Sequence, residues 1–144
     1  MSIKENKVIV QRIFEEVING RSLDVVEELF APDYIFHGPG GQELHGPEGF
    51  KQIVSQPHAA FPDFHITVED MIAEGDKVVC RFSTSGTQKG VLGGIPPTNK
   101  LVRNRGMLIY RIAEGKVVEH WEILDMLGVI QQLGVVPQPG NTSK

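Results

Sequence analysis

Four side chains in this sequence are placed to do acid/base chemistry: His37, His120, Glu122 and Asp125. An imidazole and a carboxylate that reach the same ligand can take a proton and return it, which is the core of general acid/base catalysis. Glu122 and His120 stand two residues apart, so on a strand they share one face and reach one ligand, or they form a solvated pair there. Asp125 follows the run Lys116 to Leu124 and precedes the apolar stretch MLGVIQQL. Its carboxylate is either the working group at the rim of a pocket or the N-cap of a closing helix, a role that Asp favours. His37 ends the short run Tyr34 to His37 directly before a Gly/Pro-rich loop, where it either serves a pocket mouth or sits on the surface. Phe36, Phe61, Phe82 and Trp121 are the aromatic candidates for a cavity lining or for ordinary core packing.

Other chemistries leave no trace. None of the five histidines forms a His-x-x-x-His pair that would put two ligands on one helical face, so no metal site is expected. The single cysteine, Cys80, lies in an apolar alternating stretch and reads as a small buried thiol. Gly-Lys-Ser/Thr phosphate loops, strand-to-helix GxGxxG turns and GxSxG elbows are absent, and no cofactor is expected. With 18 acidic against 14 basic residues, net charge −4 and no Lys/Arg run, the chain offers little grip to nucleic acid or an anionic membrane. The first residues are charged, no apolar run is long enough to span a bilayer, and the expected setting is cytoplasmic.

The elements that must position these groups are legible from periodicity. Gly106 to Ile112 and Lys116 to Leu124 read as strands joined by a two-residue turn at Glu114-Gly115. Pairing Ala113 with Lys116 sets Tyr110 opposite Glu119, Ile109 opposite His120, Leu108 opposite Trp121 and Met107 opposite Glu122. Trp121, Ile123 and Asp125 then share one face and His120, Glu122 and Leu124 the other, so His120 and Asp125 serve one site only across a bulge. Upstream, Ser2 and Glu5 form a capping box for a helix running to Gly20. Ser22 opens a second helix that Pro32 ends, and Pro47 suits the first turn of a third. The loop GPGGQELHG is read as irregular, Phe64 to Val68 and Lys77 to Ser85 as strands around the turn Glu74-Gly75-Asp76, and 86–100 as a long loop. A chain of 144 residues with 40% hydrophobic composition makes one domain, expected over 1–136, with a disordered tail at 137–144. The order of elements predicts an α+β domain: a curved antiparallel sheet wrapped around N-terminal helices, a cone-shaped barrel with a central pocket.

The sequence resembles the SnoaL-like polyketide cyclases of the nuclear-transport-factor-two-like superfamily, and the likeness covers nearly the whole chain. It is carried in order by His37 with Pro39, Phe61-Pro62-Asp63, Glu74-Gly75-Asp76 with Arg81, and Gly86-Thr87-Gln88-Lys89-Gly90. It continues through Arg111 with Gly115-Lys116-Val117, Glu119-His120-Trp121, and Asp125 followed by Gln132-Leu133-Gly134. The resemblance implies a cofactor-independent ester cyclase in which an acid on the last strand, most naturally Asp125 with Glu122 as the alternative, works on an enolisable polyketide ester with help from histidine. Gln88 stands where many relatives carry His after Gly-Thr, and it is expected to contact substrate. Two other readings keep the fold: a non-catalytic binding module, and an isomerase, dehydratase or epoxide hydrolase. The expected partners are a small-molecule substrate and a second copy of the chain across the outer sheet face or its edge.

Overall fold

Ser2 caps the first helix as its spacing to Glu5 requires. Glu5 N–H donates to Ser2 Oγ at 3.0 Å and Ser2 N–H donates to Glu5 Oε1 at 2.7 Å, which satisfies two of the free donors at the helix start. In the computed structural model, which describes residues 2–135, α1 (Ile3–Arg12) runs on as a π-helical stretch, Ile13–Asn19. The expected tail at 137–144 and the last residue of the expected domain lie outside the described residues. A 3₁₀ turn at Leu23–Val25 leads into the short α2 (Val26–Leu29), and α3 (Gly46–Ala60) carries Pro47 in its first turn. α4 (Met126–Gln132) follows the last strand.

Six strands form one sheet: β1 (Phe30–His37), β2 (Glu43–His45), β3 (His65–Glu74), β4 (Lys77–Thr87), β5 (Leu101–Ala113) and β6 (Lys116–Leu124). Their order is β2-β1-β6-β5-β4-β3. The expected α+β class is the observed one, but the sheet is mixed, because β1 runs parallel to β6 while every other pair is antiparallel. It is also open rather than a closed barrel, with β2 and β3 as its edges.

Three local differences from the sequence reading have physical causes. The helix ends at Leu29, so Pro32 does not terminate it but lies inside β1. Having no N–H to give, Pro32 occupies the stretch where the ladder to β6 lapses, between the pairs Phe30–Val117 and Ile35–Glu119. The Gly/Pro loop does contain regular structure, since β2 folds back on β1 and pairs Leu44 with Phe36. Third, the hairpin between β5 and β6 turns at Glu114-Gly115, both with positive φ (52° and 80°), as a two-residue turn with the sheet's twist demands. Ala113 pairs with Lys116 and Ile112 with Val117, but Arg111 then pairs with Glu119, leaving Val118 as a bulge. Every later pair is shifted by one residue from a regular ladder: Tyr110 faces His120 and Leu108 faces Glu122.

That bulge changes the phase of the strand. Val117 and His120 both point inward and both are fully buried, which strict alternation forbids. The helices cover this inner face. Val10, Ile13, Phe14 and Val17 pack with Val78, Cys80, Leu108, Tyr110 and Ile112 in one cluster. A smaller cluster joins Ala60 and Phe61 to Val102, Val129 and Leu133, where α4 closes over β5. The thiol of Cys80 is fully enclosed, and burial pushes its pKa up to about 12.

Candidate functional site

A cavity of about 300 Å³ lies where these two clusters meet. Its walls are mostly apolar, built from α3 (Phe50, Ile53, Val54), the inner faces of β3 to β6, and α4. Such a lining with a few polar groups is the usual make-up of a small-molecule site. Gln42, Gln56, Thr84, Ser85, Asn104, Tyr110 and Glu122 supply the polar atoms. Glu122 is the one carboxylate among the described residues on that wall, and its side chain keeps 13% of its surface exposed.

Glu122 is held from behind. His120 Nε2 lies 3.0 Å from Glu122 Oε1, and Tyr34 Oη lies 2.8 Å from His120 Nδ1. The three groups come from adjacent parallel strands: the register sets Phe36 beside His120, and Tyr34, two residues back on β1, faces the same side. Aromatic rings surround the imidazole, with Tyr110 at 4.4 Å and Phe36 at 4.7 Å between ring centres. Burial, reinforced by the Glu122 charge, pushes the Tyr34 phenol well above its ordinary pKa and keeps it protonated. The Tyr110 phenol is raised by the same causes, burial first. Its hydroxyl is buried with no hydrogen-bond partner among the described residues, and the residue lines the cavity.

The candidates read from sequence divide between the two faces of the sheet. His120, Glu122, Phe36, Phe61 and Phe82 come together at or behind the cavity. Asp125 does not join them: it is exposed, and its Oδ1 accepts the Gly128 N–H at 3.0 Å as the N-cap of α4. His37 and Trp121 lie on the outer face, because each follows an inward residue by one position. Their rings stack at 5.6 Å, and His37 Nε2 donates to Glu119 Oε2 at 2.8 Å. Burial raises the Glu119 carboxyl, but the hydrogen bonds from His37 and Arg111 outweigh it and hold the pKa below the usual value. Gln88 is fully buried yet does not line the cavity. Its amide donates to Gly90 O and Ile95 O, both at 3.1 Å, and accepts from Thr98, so it fastens the loop between β4 and β5. Among the described residues no cluster of three His, Cys, Asp or Glu side chains is arranged to hold a metal ion.

Tyr34 and Tyr110 were missed by sequence reasoning. The signal for Tyr34 was present, since it stands two residues before Phe36 and must share its face. Tyr110 becomes a neighbour of His120 only through the bulge at Val118, which no residue pattern announces.

The fold and the sequence have counterparts among known proteins. The chain is 30% identical over 131 residues to the aklanonic acid methyl ester cyclase DnrD of Streptomyces peucetius, covering 88% of each. It is 32% identical over 113 residues to the nogalonic acid methyl ester cyclase of Streptomyces nogalater, covering 77% of this chain and 84% of that one. A candidate SnoaL-like polyketide cyclase from Jannaschia sp. CCS1 superposes with a TM-score of 0.86 at 26% identity, over 95% of this chain and 97% of its own. The family model for SnoaL-like polyketide cyclases matches residues 8–133, and with the fold and the relatives in accord, the chain belongs to that family.

Proposed function

We propose that this protein is an ester cyclase that closes a ring by intramolecular aldol-type addition without a cofactor, and that Glu122 is its general base. The observation that carries the reading is that Glu122 is the one carboxylate among the described residues on the wall of an apolar cavity. The relatives' names supply the substrate class, a methyl ester of a polyketide-like acid. A C–H flanked by carbonyls gives a carbanion that is already delocalised, so the protein's task is to fold the chain and move one proton.

The steps balance without a further reagent. Glu122 takes the α-proton on the oxygen not facing His120, and the resulting carbanion forms a C–C bond to the substrate's own electrophilic carbonyl. The carbonyl π electrons move to oxygen, and the protonated Glu122 returns its proton to that alkoxide. Phe36, Phe61 and Phe82 hold the folded substrate, and Tyr110 offers a phenol hydroxyl with no partner among the described residues. Orientation of this kind supplies much of the rate, because effective molarities of well-placed intramolecular reactions reach about 10⁵–10⁸ M.

The test is turnover of aklanonic acid methyl ester by purified protein, followed by chromatography of the ring-closed product. Wild type is expected to turn over, and Glu122→Gln to lose about 10²–10⁴-fold in kcat with its melting temperature maintained. Full activity in Glu122→Gln would refute the assignment.

A further inference from the structure

Tyr34 Oη is buried and, among the described residues, has one hydrogen-bond neighbour, Nδ1 of His120 at 2.8 Å. Its ring is locked edge-on between Phe30 and Phe50, with centroids at 4.9 and 6.2 Å. A phenol in such a place keeps its proton and must give it to an acceptor, since an unpaired buried donor is costly. Nδ1 can accept only if it carries no hydrogen. In a doubly protonated ring, or in the tautomer with hydrogen on Nδ1, the Tyr34 hydroxyl hydrogen would point at another N–H and find no acceptor. One arrangement satisfies all three groups: Tyr34 donates to Nδ1, and Nε2–H donates to Glu122 Oε1 at 3.0 Å.

We propose that Tyr34 is a positioning residue for the reaction: it fixes His120 as the Nε2–H tautomer and so commits that N–H to Glu122. The proposal rests on the reading of Glu122 as general base. His120 then shuttles no proton. It occupies Oε1 throughout, which leaves the second carboxylate oxygen to face the substrate, and Oε1 can keep accepting when Glu122 becomes protonated. The logic matches that of a buried acid orienting a catalytic imidazole, run in the opposite order, with the imidazole orienting the acid.

The first measurement needs no variant. With ¹⁵N-histidine, long-range proton–nitrogen correlation near neutral pH is expected to show His120 with a pyridine-like Nδ1 and a pyrrole-like Nε2. A ring with both nitrogens protonated, or with hydrogen on Nδ1, overturns the proposal. In Tyr34→Phe the fixed tautomer should be lost, with kcat falling about 10- to 100-fold and KM nearly unchanged. His120→Gln offers an amide N–H for the same carboxylate without Tyr34's help, so adding Tyr34→Phe to it should cost little further turnover. A folded Tyr34→Phe with wild-type kcat refutes the positioning role. The two readings fail separately: the expected tautomer in a wild type that closes no ester ring sinks the cyclase reading alone, and turnover with the wrong tautomer sinks the role of Tyr34 alone.

Discussion

Replacing Asp125 separates a helix cap from a catalytic acid, because Asn keeps the first role and destroys the second while Ala destroys both. Asp125 Oδ1 accepts the Gly128 N–H at 3.0 Å, and the capped helix carries Val129 and Leu133 into the cluster with Ala60, Phe61 and Val102. Losing such a cap costs about 0.5–2 kcal/mol. Unfolding entropy for a chain of 144 residues is roughly 0.3 kcal/mol per kelvin, so Asp125→Ala should lower the melting temperature by about 2–7 °C. Asp125→Asn should stay near wild type, since Asn caps about as well as Asp. Neither change should reach the chemistry, because the carboxylate is exposed and the proposed base is Glu122. The Ala variant should therefore retain kcat, with KM rising as α4, which brings Met126 and Val129 to the cavity wall, frays. Thermal unfolding by circular dichroism and steady-state turnover on the same preparations decide the matter. If Asp125→Asn keeps its melting temperature but loses about 10²-fold or more in kcat, Asp125 works in the cavity and the assignment to Glu122 fails.

Two further outcomes follow. His58 Nε2 donates to Ile18 O at 2.7 Å while its Nδ1 is buried without a partner among the described residues. Burial, aided by the Arg21 charge, outweighs that hydrogen bond and lowers the pKa below the ordinary 6.5. The unfolded chain binds this proton more readily, so the stability His58 contributes is complete above the unfolded value and is lost as pH falls through the folded one. The urea midpoint of wild type should drop relative to His58→Gln below about pH 6.5, and parallel midpoints would rule this out. On the outer sheet face, the register partners Met107 and Ile123 stand 52% and 75% exposed, and we propose that a second copy covers them. Light scattering should find a dimer that Ile123→Glu converts to a monomer, and a monomeric wild type would end the idea.

What the sequence made legible is what local chemistry controls. Ser2 with Glu5, the turn at Glu114-Gly115 and the alternation from Ile66 to Val68 each depend on neighbours within a few residues, and each appears as read. The bulge at Val118 depends on how β6 meets β5 and β1 together, so a regular ladder placed every residue beyond it one step out of register. The sequence favours Asp125 over Glu122 as the working acid, because the two stand in one short segment and Asp125 is followed by an apolar helix. Only the fold shows that one turns into the cavity and the other back onto its own helix. Gln88 is expected at the substrate, yet its buried amide is occupied with Gly90, Ile95 and Thr98. Bonds that depend on how a loop folds back on itself leave no mark in the sequence pattern.

Because β1 and β6 run parallel and β4 ends where β5 begins, the segments after β1, β4 and β6 all emerge at one end of the sheet. From there Pro39 and Gln42, Leu92, and Met126 reach the cavity. The chemical groups Tyr34, His120 and Glu122 come instead from the strands, whose register fixes them. One end of the cavity wall therefore comes from stretches of chain separate from those that carry the proposed proton-transfer groups. Substitutions in those three segments would reshape that end of the cavity and leave the strand register untouched.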